Sequence, residues 1–196
     1  MIGSKKMIIW KNKTCRHPNG VCEGATSKWL FSIGAEGIEE ANKIKPQDCD
    51  ELQDMVEKAN FSWSTDLKLK WAEYVKDKAD LEFEPFGDEK SSTCSTLIKS
   101  QSKESVMSLQ ELSGLLSKLT EGDFGYINAI QPTGNGHALA IYRSKDNIYF
   151  FDPYNAIYNV SPKDADTLSK QIFDNVKSWE DVVIFWGKIT RTGLTH

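Results

Sequence analysis

GHALAIYRSKDNIYFFDP, residues 136–153, is the stretch that decides the fold. Two apolar runs, His137–Tyr142 and the β-branched and aromatic Ile148–Phe151, flank the polar turn sequence Ser144–Asn147. That pattern predicts an antiparallel hairpin. Pairing then brings the histidine near one end of the hairpin close to the aspartate at the other. If the turn centres between Ser144 and Lys145, His137 faces Asp152 directly. If the turn spans Ser144–Asn147, Asp152 faces Leu139 and His137 becomes its diagonal neighbour on the same face. Directly opposed Cβ atoms lie about 5 Å apart and diagonal ones about 7–8 Å, so either register lets the carboxylate reach the imidazole.

Further strands are expected on either side. Phe124–Ile130 alternates, and Val182–Trp186 is a continuous apolar run that predicts a strand buried on both faces. Pro132–Gly136 reads as a turn and Pro162–Val176 as a helix. Upstream the periodicity changes. Cys22, Ala25, Thr26, Trp29, Leu30 and Ile33 recur at three- and four-residue steps, a helix that Gly34 could stop. Pro46 opens a second helix carrying Leu52, and Asp66 a third carrying Trp71. Ser108 caps a helix over Leu109–Leu119, and Glu111 completes a capping box. Leu81–Glu84 alternates like a short strand, Met7–Trp10 is a short apolar run, and Ser91–Thr96 reads as loop. The layout is α+β, a mostly helical first half with an antiparallel sheet in the second. At 196 residues one domain, 1–196, accounts for the chain.

Composition narrows the chemistry. The formal charge is −4, which disfavours a general nucleic-acid binder. No run approaches the ~18 apolar residues of a membrane span. The first residues carry lysines but lack the apolar core, about 7–15 residues long, of a Sec signal. Cys15, Cys22, Cys49 and Cys94 form no C-x-x-C pair, so they read as reduced thiols. Cys15, His17 and Cys22 lack a second ligand pair at zinc-site spacing, and no metal or cofactor is expected.

With only three histidines and four cysteines, few nucleophile–base pairings exist. A nucleophilic cysteine needs a base and a group to orient that base. Cys22 stands at a predicted helix start, where free N–H groups and the helix dipole favour a thiolate. His137 and Asp152 supply the other two roles. Asn19, just before the helix, is the candidate side-chain donor for an oxyanion hole. Residues 80–89 carry five acidic residues and no Lys or Arg, a charge suited to a basic substrate segment, although a solvated acidic loop explains it more simply.

These residues also resemble a known family. Gly20-Val21-Cys22, Gly24, Thr26 and Trp29 resemble the nucleophile motif of the YopT/AvrPphB cysteine peptidases, with Thr26 where that family has Ser. The stretch Gly136-His137-Ala138 with Ala140-Ile141-Tyr142 resembles its histidine motif. Phe150 to Asn155 resembles its aspartate motif, from which Tyr154 and Ala156 depart. The order Cys, His, Asp agrees as well. The resemblance implies a papain-like fold with the nucleophile on a helix start, packed on the sheet carrying His137 and Asp152. It implies a thiol protease that bacterial pathogens inject into host cells. Relatives cleave prenylated small GTPases or host kinases. Papain-like enzymes often place an oxyanion-hole Gln or Asn a few residues before the cysteine; Arg16 and His17 stand there in this chain. A tryptophan stacks near the histidine in such sites, and Trp186 is the expected one. Two other readings remain open at this point. One keeps the triad for a deamidase, transglutaminase or peptidoglycan amidase. The other is a papain-like binding module with an inert Cys22.

Overall fold

The computed structural model describes residues 5–7, 21–45, 48–58, 82–85, 95–99, 106–131 and 136–190. Among them eight strands form one antiparallel sheet: β1 (Lys5–Met7), β2 (Glu82–Pro85), β3 (Ser95–Lys99), β4 (Asp123–Ile130), β5 (Gly136–Arg143), β6 (Ile148–Asp152), β7 (Ala156–Val160) and β8 (Asp181–Thr190). The order is β1-β7-β6-β5-β4-β8-β2. The long β8 pairs with β4 along one edge, and β3 and β2 in turn pair along the other. The α+β expectation holds, but the first half of the chain also contributes three short strands to the sheet. β3 lies partly within what reads as loop, and β7 was not anticipated.

Helices cover both faces. α1 (Cys22–Glu36), α2 (Ile38–Ala41) and α3 (Asp50–Lys58) form one layer; α4 (Leu109–Lys118) and α5 (Ala165–Val176) form the other. The alternation of the strands explains the two cores. Ala138, Ala140, Tyr149 and Phe151 turn toward α1, while Leu139, Ile141, Ile148 and Phe150 turn toward α4 and α5. All eight are buried. β8 departs from expectation. Val182, Ile184 and Trp186 are buried, but Val183 and Phe185 are only half-buried, so one face is fully covered and the other partly.

α4 is capped as its sequence predicts. Glu111 N–H donates to the Ser108 hydroxyl at 3.2 Å, and Ser108 N–H donates to the Glu111 carboxylate at 2.7 Å. α1 starts at Cys22 but runs past Gly34. Its terminator is Gly37, at φ 93°, where glycine avoids the Cβ penalty of left-handed backbone. The second helix is confirmed over Asp50–Lys58. The helix expected from Asp66 and the 132–135 turn lie outside the described residues.

Three residues of α1 dock it. Gly24 N–H donates to Gln53 Oε1 at 2.7 Å, and the Thr26 hydroxyl donates to Ala138 O at 3.0 Å. Trp29 stacks on Phe151 with centroids 4.9 Å apart, and its indole N–H donates to Asn42 Oδ1 at 3.0 Å. Gly24 is required sterically, since a Cβ there would stand 2.6 Å from Cys49 O and 2.8 Å from Gln53 N. Glycine inside a helix ordinarily costs about 0.5–1 kcal/mol relative to alanine. Overpacking against backbone costs about 1–3 kcal/mol, so here the clash wins. Gly24→Ala is therefore expected to lower the denaturant midpoint rather than raise it. An equal or higher midpoint would show that α1 and α3 do not pack this closely.

Candidate active site

The β5–β6 hairpin adopts the second of the two registers. Ser144 N–H donates to Asn147 O at 2.9 Å, and Ala140 pairs with Phe151 and Arg143 with Ile148. Asp152 thus lies diagonal to His137 on the face shared with Leu139 and Phe150. His137 Nε2 and Asp152 Oδ1 are 3.2 Å apart, and the side chains are 4% and 2% exposed.

Asp152 is held by three further donors. Its Oδ1 also accepts from Tyr154 N–H at 2.9 Å. Its Oδ2 accepts from Asn155 Nδ2 and from Asn175 Nδ2, each at 2.6 Å. Burial raises the carboxyl pKa. The bond to His137, its positive charge, and the Asn155 and Tyr154 donors outweigh that and hold the group below its ordinary range.

Cys22 approaches from the opposite layer. As the first residue of α1 it sits over the end of β5, with Sγ 3.9 Å from Gly136 O. It is buried. His137 Nδ1 is buried with no partner at full hydrogen-bond geometry, and Cys22 joins Asp152 in acting on the charge of this ring. Burial pushes the imidazole pKa down, but the bond to Asp152 and the contact with Cys22, with both their charges, lift it to about 9. The ring is therefore protonated at neutral pH.

Two aromatic rings enclose the imidazole. Tyr154 stacks on it at 4.5 Å and 2°, Trp179 at 5.6 Å and 20°. Trp186 is not the stacking tryptophan. His137 is level with Ala129, which pairs with Val182, so Trp186 lies two strands across and four residues further along β8, roughly 13 Å along the strand axis alone. It packs instead beside Gly125, where a Cβ would stand 2.8 Å from its ring. The stacking tryptophan comes from the loop after α5, and nothing in the local pattern at Trp179 announces that role. Asn175 was likewise missed. Its only trace is a Gln171–Asn175 pair at i,i+4 beside the apolar stripe Leu168, Ile172 and Val176.

Beneath α1, Tyr126 is buried and feels Glu23 and Cys22. Burial, then those two charges, raise its pKa well above 10, so its hydroxyl stays a neutral donor. Asn128, on the same sheet face, has a buried Nδ2 with no partner. Asn19, Arg16 and His17 lie outside the described residues, as does Cys15. Among the described residues no three potential ligands cluster as a metal site, and no helix is long and apolar enough to cross a membrane. The acidic stretch at 80–89 is described only over β2, an edge strand.

A helix layer presenting a cysteine at its first turn, packed on an antiparallel sheet that carries the histidine and aspartate, is a papain-like α+β architecture. Among solved structures, the chain is similar to the Pseudomonas avirulence protein AvrPphB, with a TM-score of 0.60 and 16% identity, over 96% of this chain and 97% of that one. The two share a fold along nearly their whole lengths. No protein-family model and no curated protein matches the sequence.

A histidine whose folded pKa exceeds its unfolded value binds more protons when folded. Its stabilising contribution is complete below about pH 6.5 and is lost as pH rises through about 9. Unfolding free energy is expected to fall across that window at up to about 1.4 kcal/mol per pH unit. In His137→Gln this slope is expected to be absent. Denaturant titrations from pH 6 to 10 measure it, and parallel curves for the two proteins would contradict the assignment.

Proposed function

We propose that the chain is a cysteine protease with the triad Cys22, His137 and Asp152, acting on a host protein through an acyl-thioester. What carries the reading is the buried His137–Asp152 bond at the end of β5, with Cys22 opening α1 against the same ring. The likeness of fold to AvrPphB and the three sequence motifs support it.

The chemistry follows from the geometry. The Cys22 thiolate adds to the substrate carbonyl carbon, forming the C–S bond. We assign the oxyanion to backbone N–H groups at the start of α1 and, from the sequence alone, to the Asn19 amide. His137 gives its proton to the amide nitrogen as the C–N bond breaks and the amine leaves. Water then adds to the thioester, passing a proton to His137, and the thiolate departs as the acid is released. Asp152 keeps the imidazole oriented throughout. The first half of this cycle serves deamidation and transamidation equally, so the acceptor distinguishes them. The substrate we place in the cytoplasm of a host cell, reached through a specialised bacterial secretion system. Relatives in the family that the motifs resemble act on small GTPases or kinases, and a host protein of either kind is a substrate to test.

Host lysate treated with wild type and with Cys22→Ala should differ in new protein N-termini. Cys22→Ala and His137→Ala are expected to abolish turnover without unfolding. Asp152→Ala should cost several orders of magnitude, given about 10⁴ for the analogous loss in a serine triad. A +1 Da change on a side chain, or an amine adduct, would reassign the acceptor. Wild-type rates in Cys22→Ala or His137→Ala would end the proposal.

A further inference from the structure

The Asp152 carboxylate is oriented from outside its own hairpin. Oδ1 has two donors, His137 and the backbone of Tyr154. Oδ2 has two more, the Asn155 amide from the same turn and the Asn175 amide from α5. A carboxylate with one oxygen free could rotate about its last bond and present either oxygen to the imidazole. With Oδ2 bound from two sides, rotation breaks two charge-assisted hydrogen bonds.

Asn175 is itself held. Gln171 Nε2 donates to Asn175 Oδ1 at 2.7 Å, so the Asn175 NH₂ has one direction left, toward Asp152. Both residues ride on α5. Leu168, Ile172 and Val176 anchor that helix in the core, and the Ser113 hydroxyl bonds Asp166 to join it to α4. A loop-borne donor would drift; this one sits on a packed helix.

We infer that Asn175, backed by Gln171, is a positioning residue that clamps Asp152 Oδ2 so that Oδ1 faces His137. The inference rests on the triad reading and adds a residue to it. The groups facing Asp152 are few. β5 supplies His137, with Cys22 of α1 behind it, and the following turn supplies Tyr154 and Asn155. From α5 come the neutral amides, since Asp174 and Lys177 are exposed and lie 3.9 Å from each other.

Two variants of the full chain test it. Asn175→Ala removes the donor. Asn175→Asp keeps the shape but sets a second carboxylate against the first. Such a pair resists double ionisation and takes up one proton as pH falls, whereupon an O–H can replace the lost N–H. The readouts are the His137 titration by imidazole NMR, the iodoacetamide rate at Cys22 followed by peptide mass spectrometry, and the melting temperature.

The clamp predicts that Asn175→Ala moves the His137 titration down by about half a unit or more, because burial then opposes a looser partner. It predicts that Asn175→Ala and Asn175→Asp both slow Cys22 alkylation about tenfold or more near pH 7.5. Asn175→Asp alone should recover toward the wild-type rate as pH falls toward 5. A wild-type titration of His137 in both variants, or equal losses without acid rescue of Asn175→Asp, would overturn it. If wild-type Cys22 reacts no faster below pH 7 than an ordinary thiol, the protease reading fails, yet the His137 titration still decides the clamp.

Discussion

A buried imidazole bonded to a buried carboxylate is the constraint around which the rest is arranged. Removing either ion from water is expensive, and the mutual attraction repays it only when the remaining polar valences are filled. Here the carboxylate has four donors. The imidazole has the carboxylate on Nε2 and the thiol bearing on it from α1. The hairpin that places the two must not slip, because a one-residue shift would send His137 to the α1 face. Register is held by the four-residue turn and by His137 and Asp152 themselves, because Phe150 and Phe151, on opposite faces, would exchange like for like in a slip.

The third member is delivered by a different logic. Cys22 reaches the strand end because α1 lies close against β5 and α3, and the residues two, four and seven positions after the cysteine do the docking. Gly24 admits α3, Thr26 ties the helix to the strand carbonyl beside His137, and Trp29 stacks under the hairpin. The spacing that reads as a nucleophile motif is thus a helix-packing requirement. Serine and threonine both supply the hydroxyl that Ala138 O receives, so Thr26 suffices where the motif it resembles has serine.

This division sets what was legible in the sequence. Interactions closing within about 15 residues could be read directly: the Ser108–Glu111 capping box, the hairpin, and the His137–Asp152 pair with its two admissible registers. The helix start at Cys22 was equally visible. What stayed hidden closes over longer spans or depends on tertiary coverage. Asn175 is polar on a helix whose apolar stripe already explains its pattern. Trp179 lies in a loop with no periodicity to place it, and Trp186, on a legible strand, drew the assignment by analogy. β3 was hidden because Ser95 and Thr96 look like loop until β8 offers them an edge. Gly34 looked like a stop, but buried packing on α1 carries the helix through to a residue that takes the left-handed turn.

The thiol and the imidazole come from opposite sides of one sheet, and this has a kinetic side. The α1–α3 layer carries the sulfur while the eight-stranded sheet carries the ring and the carboxylate, so an opening confined to that layer would part them. Such sub-global openings need far less free energy than complete unfolding. Damage to the helix layer alone, by heat, ageing or a misplaced side chain, would therefore leave a protein that passes for folded in far-ultraviolet dichroism of its strands while its sulfur has left the base behind.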